Sequence, residues 1–301
     1  MSTQSNAVAE SLGARELAPV LMHSTQPFLW SVRRELWEFR SIYIAPLAVA
    51  AVTMLGFLFA TLGRALSTSN MAERREVLEG PFTFASLLIM LTTFLVAVFY
   101  CLEALHGERR DRSILFWKSV PVSDLTTVFA KASIPLVILP LLTFTITIVM
   151  QFVMFVLSSL VLSGSGLGAS MLWAHWVPMT VMLFYHLIAV HSLSYAPMYG
   201  WLMLVSGWAR RAAFLWATLP LLTVGLIEKI AFNTTHFGQF LGNQFSGGRA
   251  GAFMEGDMMM SSLAQLTPGR FLLSPELWLG LMFTALCLAG AVRLRRYRSP
   301  M

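Results

Sequence analysis

The sequence predicts an all-α polytopic membrane protein with six transmembrane helices. Three observations predict it. Of 301 residues, 56% are hydrophobic and only 12% are charged, against roughly 25% charged in an average soluble domain. Several runs exceed the ~18 mostly apolar residues that mark a membrane-spanning helix. Trp30, Trp37, Trp173, Trp176, Trp208 and Trp278 cluster at the ends of those runs, as in the aromatic belts of membrane interfaces.

Residues 1–26 are polar and mixed and read as a disordered cytoplasmic tail; residues 27–301 read as one transmembrane domain. Residues 27–41 (PFLWSVRRELWEFRS) predict an interfacial helix. At 100° per residue, Phe28, Val32, Leu36 and Phe39 share a face with Leu29, while Arg33, Arg34, Glu38 and Arg40 lie around the other side. The predicted spans are approximately 42–62, 81–102, 131–162, 173–208, 212–232 and 275–292. A polar loop carrying Arg64, Glu73, Arg74, Arg75, Glu76 and Glu79 precedes the second span. The third and fourth exceed the ~20 residues a bilayer requires, so bends are expected at Pro135, Pro140 or Pro197. Residues 233–274 form an external loop rich in Gly, Met, Asn and Gln.

Six spans put both termini on one side. Lys and Arg number 15 on that side and 6 on the other, which predicts cytoplasmic termini by the positive-inside rule. The same rule explains the net charge of +6 without nucleic acid as a partner. Cys101 and Cys287 both lie in apolar runs and read as small buried hydrophobes.

Several chemistries find no support in the residues. No acid sits at the middle of a span, as a buried coupling carboxylate would. His175 and His186 are eleven apart and His191 points elsewhere, so no i, i+4 metal pair forms. Lys118, Lys131 and Lys229 are the only lysines and none follows a glycine, so there is no phosphate-binding G-K-[ST] loop and the chain is not itself an ATPase. Thr143, Thr145 and Thr147 are two apart and share no helix face. Gln151, Tyr185 and His186 are the polar candidates for a substrate path.

The stretch Glu103–Lys131 (EALHGERRDRSILFWKSVPVSDLTTVFAK) stands apart. It is the only long charge-dense segment between apolar runs. A short amphipathic helix is predicted over about 107–119. Pro121 then breaks the chain, and Ser123 with Asp124 can cap a new helix. The run Ile114, Leu115, Phe116, Trp117 is costly to leave in water and requires lipid or a protein partner.

At these residues the sequence resembles the type-2 permeases of ATP-binding-cassette transporters, the membrane subunits of bacterial exporters. The similarity is carried by GERRDRSILFWKSVPVSD at 107–124, by SGWARRAAFLWATLP at 206–220 and by the six-span layout. The resemblance implies a multi-pass protein of the bacterial inner membrane. Two permease chains, identical or different, would pair over two cytosolic ATPase subunits. ATP and magnesium would be held by those subunits, and this chain would bind no cofactor. The segment after the second span would be the coupling helix, which seats in a cleft of the ATPase. Glu108, Arg109, Arg110, Asp111, Arg112, Ile114, Leu115, Phe116, Trp117 and Lys118 would make that contact. Membrane lipids would surround the spans. The competing reading is a secondary transporter or channel acting without an ATPase. A membrane-embedded enzyme finds no nucleophile–base or metal-ligand spacing.

Overall fold

The structure is a computed structural model and describes residues 26–62, 71–111, 113, 122–163, 169–245 and 268–297. Among them every regular element is helical, and six helices are long and apolar enough to cross a membrane. The predicted tail therefore lies almost wholly outside the described residues, as does the middle of the 233–274 loop.

Helix α1 (Gln26–Glu38) precedes a break at Phe39 and Arg40. Helix α2 (Ser41–Gly56) follows and runs into π-helical Phe57–Leu62. Helix α1 packs on the third span's first turns through half-buried Val32 and Leu36 and buried Glu35. Leu29 is exposed together with Trp30 and Trp37. Arg33 lies between the two tryptophans, 5.6 and 4.9 Å from their ring centres, so a cation–π stack orders this outer face.

Helix α3 (Met71–Glu103) is the second span. It begins ten residues before the predicted start, so Glu73–Glu79 belong to its first turns rather than to a loop. A short helix, α4 (His106–Arg110), follows one turn later.

The third span is α5 (Asp124–Ser133), π-helical Ile134–Ile138 and α6 (Leu139–Ser163) in series. Ser123 caps it, its hydroxyl accepting from the Thr126 N–H. The cap is thus where the sequence places it, but the helix starts seven residues before the expected Lys131. Pro135 sits inside the π-helical turn, where the wider winding accommodates the missing N–H.

The fourth span is α7 (Ala169–His186) followed by π-helical Leu187–Ser194. Tyr195 interrupts it, and α8 (Ala196–Trp208) restarts with Pro197 in its first turn, a position that needs no N–H partner. The fifth span is α9 (Ala213–Phe232), bracketed by left-handed Ala212 and Asn233, both at φ 50°. Part of the predicted external loop is helical, as α10 (His236–Phe245) and α11 (Pro268–Leu272). Glu228 holds the start of α10, accepting from the His236 and Phe237 N–H groups at 2.7 and 2.8 Å. Helix α12 (Pro275–Tyr297) is the sixth span.

The tightest crossing is α8 on α12. A Cβ on Gly200 would come within 3.2 Å of the Thr284 backbone. On α12, Gly280 and Gly290 likewise admit Pro197 and Leu204, which would lie 2.9 Å from an added Cβ. Small residues let membrane helices approach this closely. Gly200→Ile is expected to cost about 1–3 kcal/mol by overpacking, read as a lower Tm in detergent; an unchanged Tm would mean that the crossing is slack.

Candidate functional site: a buried charge network

The ends of four elements converge on one cluster of ions. Glu35 from α1 and Lys131 from α5 pair at 2.8 Å, and the side chains of both are 1% exposed. Lys131 also reaches Glu108 of α4 at 3.2 Å. Arg34 donates to Glu108 at 2.8 Å and to Glu35. Arg295 near the end of α12 donates to the other Glu108 oxygen, and through Nε to Asp124 at 3.0 Å. Tyr100, in the last turns of α3, donates its hydroxyl to Glu35 Oε2 at 3.0 Å. Its buried part holds three cations and three carboxylates and is neutral; Glu38, 48% exposed, adds a fourth carboxylate 3.8 Å from Arg34 at the margin. Charge balance with saturated hydrogen bonding is the condition under which buried ions are tolerated.

Electrostatics at the exposed margin follow the same logic. Burial opposes the Arg34 charge, yet the Glu35 and Glu108 carboxylates beside it hold its guanidinium above the usual value. Glu38 is raised, first by burial and then by the neighbouring Glu35 charge.

A second set of bonds fixes α4 against the end of α8. Ser206 accepts from the Leu105 and His106 N–H groups at 3.0 and 2.9 Å, satisfying donors at the start of the helix. Arg109 donates to the Gly207 carbonyl at 2.7 Å. His106 Nδ1 lies 3.2 Å from the Ala209 carbonyl. Ser206→Ala would leave two buried N–H groups unpartnered, at roughly 1–3 kcal/mol each. Amide exchange at Leu105 and His106 should accelerate with a fall in Tm; unchanged exchange would show that Ser206 is dispensable.

The residues predicted to contact an ATPase therefore divide. Glu108 and Arg109 are each 5% exposed and are bonded within the chain. The sequence reading places both at an ATPase contact; in the fold their side chains hold α4 against its neighbours. Arg110 and Asp111 are exposed and point outward, with Arg110 paired to Glu103 at 2.8 Å and Asp111 at 3.2 Å. Arg112, Ile114, Leu115, Phe116, Trp117 and Lys118 lie outside the described residues.

The three substrate-path candidates do not converge. Gln151 is fully buried and donates to Ser86 at 2.8 Å. Tyr185 is half-buried and meets the Phe271 ring edge-on at 6.5 Å. His186 is buried against His191, ring centres 5.8 Å apart. That pairing corrects the reading that His191 points elsewhere, because a π-helix carries residues five apart onto one face. Threonines also divide: Thr143 and Thr147 are buried in line with Gln151, and Thr145 is exposed with its hydroxyl on the Leu141 carbonyl. A polar stripe at i, i+4 and i+8 thus exists, with Thr143 bonded to Thr93 at 2.6 Å.

The network itself escaped the sequence reading. Apart from adjacent Arg34 and Glu35, the partners in its buried part lie 23 to 187 residues apart, too far for any helix spacing to join them. One signal was available: Glu35 falls on the helix face of Val32 and Leu36, where a carboxylate demands a buried cation.

The network fixes one point of topology. The helix before the first span, the end of the second, the start of the third and the end of the sixth all meet at it. These ends therefore lie together at one end of the helix bundle, as an even number of crossings requires. Comparison with protein-family models, with curated proteins and with solved structures finds no match for this chain.

Proposed function

We propose that this chain is the membrane subunit of an ATP-binding-cassette exporter in a bacterial inner membrane, driven by a separate cytosolic ATPase. The observation that carries the reading is the buried network around Glu108. It ties the element just before the apolar run Ile114–Trp117 to the bases of the first, third and sixth spans. A push on that segment cannot bend α4 alone. Breaking one of its ion pairs would strand a charge at a cost of several kcal/mol, so the elements move together. Such a block suits a part that converts movement of a docked protein into tilting of spans.

On this reading the network lies on the cytoplasmic side. Arg110, Asp111 and the following residues through Lys118 face the ATPase, while Glu108 and Arg109 hold the contact in register. A second permease chain completes the pathway. ATP and magnesium belong to the ATPase alone.

The test is co-purification in detergent with the host's cytosolic proteins. Recovery of a nucleotide-hydrolysing subunit in about equal amount supports the proposal. Recovery of the chain alone, under conditions that keep other transporter complexes intact, contradicts it and favours a channel or secondary transporter.

A further inference from the structure

A long groove of about 790 Å³ runs down the membrane face between the third, fourth and sixth spans. It exists because α12 presents Ala285 and Ala289 there, side chains too short to meet the facing Leu136, Val137 and Leu141. Ser192 and Thr284 also line it. Their hydroxyls are already spent on their own helices, on the carbonyls of Leu187 and Gly280. The groove thus offers no free polar group to a polar cargo. It follows α12 from Leu281 to Val292, about 16 Å at ~1.5 Å per residue. That is about half the ~30 Å hydrocarbon thickness, the depth of one leaflet.

The end nearest the charge network is not neutral. Along α12 the groove stripe Ala285, Ala289, Val292 continues to Arg296, which is exposed and makes no ion pair among the described residues. Arg295, its neighbour, is committed to Glu108 and Asp124. Arg296, which also lies 5.8 Å from the Tyr297 ring centre, is therefore a cation open to an anion at the membrane surface, one turn below the groove.

We propose that this groove is a binding site for an anionic phospholipid of the leaflet on the side of the network, with an acyl chain along Ala285 and Ala289 and the headgroup phosphate at Arg296. The geometry bounds the occupant: a mostly apolar slot about one leaflet deep between three spans, ending near Arg296, which makes no ion pair among the described residues. The site does not depend on an ATPase partner, so it stands or falls separately from the exporter reading.

The test uses the full chain in vesicles of mixed phosphatidylglycerol and phosphatidylcholine. Each lipid in turn carries a photoreactive group in one acyl chain, and labelled peptides are mapped by mass spectrometry. Labelling by phosphatidylglycerol is expected at 136–144 and 281–292 to exceed that on the lipid-facing surface of α9 by about fivefold, the preference one basic side chain gives at a membrane surface. Arg296→Gln should bring phosphatidylglycerol labelling down to the phosphatidylcholine level. Ala289→Trp should remove groove labelling for both lipids while leaving α9 labelled. Equal labelling of groove and α9, an Arg296→Gln variant that keeps the preference, or chain-to-chain cross-links through the groove would overturn the proposal.

Discussion

Replacing Lys131 by methionine is expected to destabilise the protein by about 3–5 kcal/mol. The cation touches two carboxylates, at 2.8 Å on Glu35 and 3.2 Å on Glu108. Its loss leaves three carboxylates, Glu35, Glu108 and Asp124, with only Arg34 and Arg295 to balance them. Water cannot compensate, because the Lys131, Glu35 and Glu108 side chains are only 1 to 3% exposed. The methylene stem is retained by methionine, so the loss reports charge rather than packing. Adding Glu35→Gln to Lys131→Met restores neutrality, and most of the lost stability should return, since an uncompensated buried charge costs more than a missing pair. The check is Tm in detergent for the wild type, both single variants and the double variant. Additive losses in the double variant would mean that the ions act independently and that no network exists.

Changing Phe116 and Trp117 together to aspartate is expected to abolish docking of the ATPase. Buried aromatic anchors at an interface are each worth about 2 kcal/mol or more, and two added carboxylates would have to be desolvated at the contact. Membrane insertion should be unaffected, because the change lies between the candidate spans that end at Arg110 and begin at Asp124. The measurement is the amount of ATPase recovered with the chain, alongside its yield in the membrane fraction. Undiminished recovery would remove the assignment of this segment as the docking element, whatever the cargo.

Much of the fold was legible because the bilayer imposes strong local rules. Apolar runs mark spans, and the fifth span is recovered to within a residue because Arg210, Arg211 and Asn233 bound it sharply. Ser123 is legible as a cap because capping is a contact three residues long. Legibility fails where polarity and helicity part company. Residues 71–80 look like a loop because they are charged, yet they continue α3, since a helix can project beyond the hydrocarbon. It fails again where winding changes. His186 and His191 face each other only because Leu187–Ser194 is π-helical, and a reading at 100° per residue separates them.

The candidate site shows the sharper limit. The sequence singled out the segment around Glu108 by its charge density, and Glu108 proved central. Its side chain turns inward, where the sequence reading put it at a partner contact. Charges near a span end normally face water, whereas here Arg34, Lys131 and Arg295 from three other elements neutralise Glu108 inside the protein. Only tertiary structure brings those partners together. The polar stripe of Thr143, Thr147 and Gln151 was within reach of the sequence: a spacing of four puts them on one face, but Thr145 between them obscured it.

On the proposed function, α1, α4, α5 and α12 move as one block when a partner ATPase binds nucleotide. Spin labels at Arg110 on α4 and Arg296 on α12, both exposed, report distances inside the block. A label at Leu215 on α9, paired with Arg110, reports movement of the block against the least buried span, 11%. In the complex with its ATPase, adding a non-hydrolysable nucleotide should leave the Arg110–Arg296 distance within about 1–2 Å, the scale of small helix shifts. The Arg110–Leu215 distance should change by several-fold more. A large change between Arg110 and Arg296, with Arg110–Leu215 constant, would contradict the account, because α4 would then swing free of the network that is said to hold it.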